Sequence, residues 1–494
     1  MERSRMRKWI LMFYARKRLI VVMLWIVVIA LLASSGVVLY MAGAGEWVLD
    51  LWDDLQSLNP QEQAQETEQT NIRLKYELNQ EETGYIVLGI AVRTSYIVTG
   101  LGEPTITEVV IPETYKDLPV VKIADNAFED CLKMTKITIP DSVTEIGNEA
   151  FKKCDNLTSV EMSKSITSIG EDTFYSCKNL TSIVIPEGVT YIGDYAFNGC
   201  RSLTSVTIPN KVQEIGTGAF RDCSAMTDLV IGNGVKKIGG NAFYNCSSLT
   251  CVTVPDSVEL IDRGAFKSCT SLSEVSLPKG ITCIPECLFQ NCTSLDSILI
   301  PDSVTQIDAY AFQECKSLSA ISIPQGVTMI SEGVFRSCIS LKQITIPDSV
   351  IEIGSSAFNG CSALESVVLP DSLQTIGTYA FLNCNSMREI TLPESVLSVG
   401  INAFQDCKSL HTVTLSTGMD TIAKNTFSGC TGLTTITIPK SITSIELYAF
   451  DECSSLTDVY YSGTKSEWSY MYYRYIGRYN EALDSATIHF SEEE

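Results

Sequence analysis

Histidine is almost missing: the 494 residues contain two, alongside five tryptophans. So few imidazoles leave little for acid–base catalysis or for zinc, which prefers nitrogen and sulfur ligands. Basic side chains are in deficit, 36 against 58 acidic ones, for a net charge of −22. That balance excludes a nucleic-acid binder, because phosphates demand lysine and arginine. Charged residues make up only 19% and apolar ones 45%, so wholesale disorder is excluded too. No cofactor and no nucleic-acid partner are expected, and an enzyme is disfavoured.

A further absence is local. From Leu19 to Ala44 no residue is charged, and Leu19 to Tyr40, with Trp25 inside it, is almost purely apolar. About 20 such residues span a hydrocarbon core as a helix. The first eighteen residues hold seven basic side chains against one acid, a net of +6, leaving 29 basic against 57 acidic, a net of −28, for the remainder. No lysine or arginine follows the apolar run until Arg73. The positive-inside rule therefore places the tail 1–18 in the cytoplasm, a signal-anchor helix at 19–44, and everything later outside the plasma membrane. Cleavage near Ala44, after Ala42-Gly43-Ala44, is the competing expectation and would give a secreted chain. Residues 45–75 read as a juxtamembrane helix, with Val48, Leu51, Trp52 and Leu55 at helical spacing, followed by a polar stalk.

What dominates the chain is a repeat. Phenylalanine recurs every 23 residues from Phe128 to Phe450, fifteen times without an insertion, and a cysteine follows each by three positions. Phe128 and Cys131, Phe197 and Cys200, Phe450 and Cys453 mark the start, interior and end of this core column. With phenylalanine as position 1, the apolar positions are 1, 4, 7, 10, 12, 16, 19 and 23, as in FNGCRSLTSVTIPNKVQEIGTGA from Phe197 to Ala219. Positions 10 and 12 alternate as the inward side of a short strand, and proline at 13 ends it. Positions 16 and 19 turn a second extended segment inward. Glycine at 20, such as Gly193 or Gly216, is read as a positive-φ position, and the Ala-Phe-to-Cys segment as a short helical turn. One coil cannot bury eight apolar side chains, whereas stacked coils can. The fold class is a repeat solenoid, leucine-rich-repeat-like: about fifteen 23-residue coils with a parallel β-sheet face, N- and C-terminal caps and one N-terminal transmembrane helix. At ~4.8 Å per rung the array is on the order of 70 Å long.

The eighteen cysteines invite disulfides or metal. Thiols one rung apart sit about 5 Å from each other, beyond the roughly 3.5–4.5 Å Cβ separation of a disulfide. A buried thiol fits a core column as a small hydrophobe. Cys251, Cys283 and Cys287 fall outside the column, and no second pair or histidine accompanies them as zinc requires. No metal site is assigned.

From Pro112 to Tyr461 the pattern resembles the BspA-type leucine-rich repeats of bacterial surface proteins, in units such as IPDSVTEIGNEAFKKC (Ile139 to Cys154). The entry GYIVLGI (Gly84 to Ile90) with VVIPETYKDLPVVKIADNAF (Val109 to Phe128) is similar to the family's N-terminal cap, expected with a first coil over 76–127. The array is expected over 128–461. YYSGTKSEW (Tyr460 to Trp468) and NEALDSATIHF (Asn480 to Phe490) resemble its C-terminal modules, expected over 462–494. Trp468 and the tyrosines up to Tyr479 read as a capping helix, or alternatively as a glycan-stacking platform. The resemblance implies a surface or secreted protein, and some members of the family adhere to matrix proteins, host cells or other bacteria.

The outward strand positions are 8, 9 and 11. Position 8 is threonine in many coils, but between Ser273 and Thr434 it includes Asp296, Lys342, Glu365, Arg388 and His411. A change of chemistry at fixed geometry is what a partner site on a repeat face looks like, so these five residues are the candidate binding face. The expected function is a membrane-anchored surface protein presenting a rigid repeated surface to an extracellular protein or glycan. The alternative is an envelope spacer without a specific ligand.

Overall fold

The computed structural model describes residues 74–80, 83–90, 107–475 and 479–491. The expected membrane helix, with Leu19, Trp25 and Tyr40, lies outside them. Among the described residues no helix is long and apolar enough to cross a membrane.

Each 23-residue unit makes one coil with three sides. The first side is a parallel ladder at positions 9–12. Ser205–Ile208 pairs in register with Asp228–Ile231, so that residues 23 apart face each other. Along it Val206 and Ile208 are buried while Ser205 and Thr207 are exposed, the period of two of a half-buried strand. Pro209 follows and stops the strand. The second side is a shorter parallel ladder at positions 18–19, where Glu214–Ile215 lies between Tyr191–Ile192 and Lys237–Ile238.

The third side is not the helical turn that the Ala-Phe-to-Cys segment suggests. Bonds back by three residues, such as Asn198 N–H to Tyr195 O (2.9 Å) and Cys200 N–H to Phe197 O (3.2 Å), alternate with bonds to the next coil. Phe197 N–H donates to Ala219 O and Gly199 N–H to Arg221 O, each at 2.7 Å. Position 3 of every coil, and position 22 of every coil before the last, take left-handed backbone, as at Tyr195 (φ 53°), Gly218 (φ 60°) and Asp222 (φ 59°), which interrupts any helix and turns alternate N–H groups toward the neighbour.

Position 20 has a different role from the one expected. Gly193 and Gly216 are not in the positive-φ region. A Cβ on Gly193 would stand 2.6 Å from the Gly170 carbonyl carbon, and one on Gly216 would stand 2.6 Å from Asp194 N. Glycine is needed because adjacent backbones approach too closely for a side chain. Coil spacing is widest where the glycine is lost in succession. Phenylalanine rings stack 5.0–5.3 Å apart along the glycine-bearing coils from Phe128 to Phe220. From Phe266 to Phe335, where position 20 is Pro285, Asp308 and Ser331, the successive rings lie 6.1, 5.7 and 5.8 Å apart.

The ladders break in the same region. Pro285 has no N–H to give the preceding coil, and the second ladder stops between Leu260–Ile261 and Cys283–Ile284. Ser331 bonds the Ile307 carbonyl through its hydroxyl (2.5 Å), and the ladder stops again between Gln306–Ile307 and Met329–Ile330. The first ladder has no strand between Glu274–Ser276 and Gln343–Thr345, a gap of two coils.

The core is a set of columns. The phenylalanines from Phe128 to Phe450 are fully buried, and removing each from water contributes about 1.5–3 kcal/mol. Cys200 and Cys453 are buried beside them, while Cys131, at the entry of its column, is half-buried. Both ends are covered. At the start, Leu74–Leu78 pairs antiparallel with Tyr85–Ile90, which runs parallel to Leu118–Ile123, and Tyr76 stacks on Tyr115 at 4.0 Å. At the end, a helix at Lys465–Tyr475 buries Trp468 and Met471, and Thr487–Phe490 adds one parallel strand to Asp458–Tyr461. Tyr479 imitates position 22 of a further coil: its backbone is left-handed (φ 64°) and its ring stacks on Tyr448 at 4.5 Å. Asn480 then takes the place of the missing coil. Its Oδ1 accepts from Phe450 N–H (2.8 Å) and its Nδ2 donates to Glu446 O (3.0 Å).

Candidate functional site

The outward face of the first ladder is built from positions 8, 9 and 11. Its threonine hydroxyls are not free donors. Thr158 donates to Thr135 O (2.9 Å), Thr204 to Thr181 O (3.3 Å) and Thr457 to Thr434 O (3.3 Å), each to the preceding coil. The recurrence of threonine at position 8 therefore has a structural cause, a second line of bonds tying coil to coil.

Where threonine is replaced, the backbone still runs in column. Ser319 N–H donates to Asp296 O (3.1 Å), Lys342 N–H to Ser319 O (3.4 Å) and Glu365 N–H to Lys342 O (2.9 Å). Arg388 N–H continues to Glu365 O (3.3 Å) and His411 N–H to Arg388 O (2.8 Å). Lys342, Glu365, Arg388 and His411 thus stand exposed on four successive coils, and Asp296 stands exposed two coils before them. The result is a row, one side chain per rung, in which cation, anion and cation succeed one another before the imidazole.

The geometry beneath this row is not fixed, contrary to the expectation of an unchanged sheet. Asp296 and Ser319 lie in the gap of the first ladder. Beside it a cleft of about 250 Å³ opens between two coils, bounded by Ile321, Ile323, Gln325, Gln343 and Pro347. The cleft was not expected from the sequence, although a signal was present: the longest run of coils without glycine at position 20 is Asp262, Pro285, Asp308 and Ser331, a shorter one being Ala423 and Glu446.

The thiols are engaged too. Each column cysteine from Cys154 onward points its Sγ–H at a phenylalanine carbonyl of the preceding coil, as Cys154 to Phe128 O (3.0 Å) and Cys361 to Phe335 O (3.0 Å). Burial pushes the Cys269, Cys361 and Cys407 thiols up to about 12, so they stay protonated and unreactive. The strays differ in setting. Cys251 is exposed on the first ladder, Cys283 Sγ lies 3.4 Å from Asp308 Oδ2, and Cys287 is buried at a left-handed turn. Among the described residues no group of three or more histidine, cysteine, aspartate or glutamate side chains is placed to hold a metal ion.

The two histidines differ in role. His411 stands in the charged row. His489 Nε2 lies 2.7 Å from Asp458 Oδ1, and its ring stacks on Tyr460 at 4.5 Å. Hydrogen bonds from His489 and Thr457 hold the Asp458 carboxyl below the usual carboxylate range. In the C-terminal run, Trp468 is buried against the cap, while Tyr470 and Tyr473 are exposed on its outer surface.

Comparison with known proteins places this architecture. The family model for the BspA type leucine rich repeat region matches residues 121–250, 236–365 and 351–476. The chain is similar to a leucine-rich repeat protein from Bacteroides ovatus, at 26% identity and a TM-score of 0.70, over 86% of this chain and 100% of that one. It is also similar to a leucine rich cell surface protein from Faecalibacterium prausnitzii, at 25% identity and a TM-score of 0.41, over 82% of this chain and 98% of that one. None of the curated proteins matches it.

Proposed function

This chain belongs to the BspA-type leucine-rich repeat family, and on that premise we propose that it is a membrane-anchored extracellular binding protein. Its uncharged run around Leu19, Trp25 and Tyr40 anchors it in the plasma membrane. The +6 tail stays in the cytoplasm and the −28 remainder stands outside. The solenoid presents a broad repeated surface to a protein or glycan, where several weak contacts along one row add through avidity.

The observation that carries the reading is the row Lys342, Glu365, Arg388 and His411. It replaces a self-bonded threonine column with exposed charge and begins, at Lys342, beside the cleft. Charges of alternating sign, one per rung, suit a partner with complementary charges at the same spacing, and charge complementarity sets specificity and association rate. The leucine-rich repeat architecture, a class that is typically non-catalytic, supports binding over catalysis.

The test is binding of the full chain, in lipid nanodiscs, to arrays of matrix proteins and glycans. A saturable ligand lost on combining Glu365→Lys with Arg388→Glu supports the proposal. Uniformly blank arrays favour an envelope spacer without a ligand.

A further inference from the structure

The turn side of the solenoid carries a depression that the charged row does not touch. Positions 22, 2 and 3 of four successive coils meet there around an open depression of about 550 Å³. Its origin is legible in the columns. Position 2 reads Lys152, Tyr175, Asn198 and Arg221 along the stack, so a short amide lies between longer walls. In the coil that carries this amide, position 3 is Gly199 and position 22 is Gly218.

The walls are held in place. The Tyr195 ring lies against Gly218, with its carbons 2.5 Å from where a Cβ would stand. Any side chain at 218 would dislodge it. Lys152 donates to Glu149 (2.8 Å) and Asp172 (2.9 Å) while lying 5.3 Å from the centre of the Tyr175 ring. Lys153 donates to Glu129 (3.4 Å). Arg221 bonds Asp222 through Nε (3.4 Å) and lies 4.6 Å from the Tyr244 ring centre. The cations are thus balanced by carboxylates, and the depression as a whole favours an uncharged guest over an anion. What it offers is two fixed tyrosine rings, an amide and the remaining N–H donors of a guanidinium. Tyrosine supplies rigid, amphipathic contact area at low entropic cost, and planar amides and guanidinium groups bond hydroxyls.

We propose that this depression is a saccharide site, taking an uncharged pyranose against Tyr175 and Tyr195 with its hydroxyls bonded by Asn198 and Arg221. An internal comparison sharpens it. The tetrapeptide Phe197-Asn198-Gly199-Cys200 recurs at Phe358-Asn359-Gly360-Cys361, but there position 2 of the flanking coils is Arg336 and Leu382. There Ser356 stands where Tyr195 does and Tyr379 takes the place of Gly218, so Asn359 is the same amide in a differently shaped setting and serves as a control. Because the depression is on a different side from the Lys342–His411 row, this site and the proposed function succeed or fail separately.

The test is calorimetry of the full chain in nanodiscs with short neutral oligomers of glucose, galactose and N-acetylglucosamine, and with an oligouronate. The expected result is saturable binding of at least one neutral oligomer. Asn198→Ala and Tyr175→Ala should each weaken it roughly ten-fold or more, while Asn359→Ala leaves it unchanged. Circular dichroism melts identify any variant that loses its fold, and Asn198→Ala, which removes a side-chain amide without disturbing the backbone ladder, is the deciding variant. No saturable binding of any neutral oligomer, binding of the oligouronate alone, or unchanged binding by folded Asn198→Ala would overturn the proposal.

Discussion

Replacing Gly216 with alanine probes what sets the distance between coils. The new Cβ would stand 2.6 Å from both Asp194 N and the Gly193 carbonyl carbon. Those backbone atoms belong to the preceding coil and cannot rotate away. Ordinary contact requires opening the stack locally by somewhat less than ~1 Å, a gap that forfeits roughly a quarter to a half of each contact across it. Two bonds are stretched at once, Gly216 N–H to Ile192 O (2.8 Å) and Thr217 N–H to Asp194 Oδ1 (2.7 Å). Overpacking of this kind costs about 1–3 kcal/mol, and the upper half of that range is expected because backbone must move against backbone. The Phe197–Phe220 spacing, now 5.0 Å, should widen toward the 5.7–6.1 Å found from Phe266 to Phe335. Gly240→Ala is the control. Its Cβ meets only Arg263 O at 3.5 Å, so it should be neutral or add about 0.4–1 kcal/mol through the unfolded chain. Urea unfolding followed by circular dichroism reads the total effect, and hydrogen exchange over 190–240 localises it. Equal stability and equal exchange in the two variants would refute the close-approach explanation.

Asn480→Ala should leave Phe450 N–H and Glu446 O without partners, costing about 1–3 kcal/mol, and hydrogen exchange should show the last coil fraying first. Under native conditions a thiol reagent should label exposed Cys251 quickly and the column from Cys154 to Cys453 only after unfolding; rapid labelling of the column would contradict its burial. Asp458 has its folded-state carboxyl held below the ordinary range, so its contribution is complete above that range and disappears as pH falls through the lowered value. The difference in melting temperature between wild type and Asp458→Asn should therefore be present at neutral pH and shrink on acidification.

The period was legible because phenylalanine and cysteine recur without a single insertion, and the first strand because Val206 and Ile208 alternate ahead of Pro209. The turn side was not. Its left-handed positions carry Tyr195, Asp222 and Glu314 as readily as Gly199, so residue type does not announce them. The glycines at position 20 were visible but assigned the wrong physics, since a need for close approach and a need for positive φ leave the same residue in a sequence. The ladder gap required knowing the right one: once Gly216 and Gly239 are understood as spacers, the successive Pro285, Asp308 and Ser331 mark where the rings stand furthest apart. The row from Asp296 to His411 could be read as a column because the 23-residue register is unbroken. The saccharide depression could not, since it depends on which side chains from four coils converge.

A membrane-anchored solenoid that faces outward is tested most directly by protease digestion of intact cells expressing the full chain, followed by blotting with antibodies to the N-terminal tail and to the repeats. The repeat epitopes should be digested while residues 1–18 remain protected until the cells are permeabilised. Repeats that stay protected on intact cells, or a tail that is digested with them, would contradict the proposed topology and with it the binding surface.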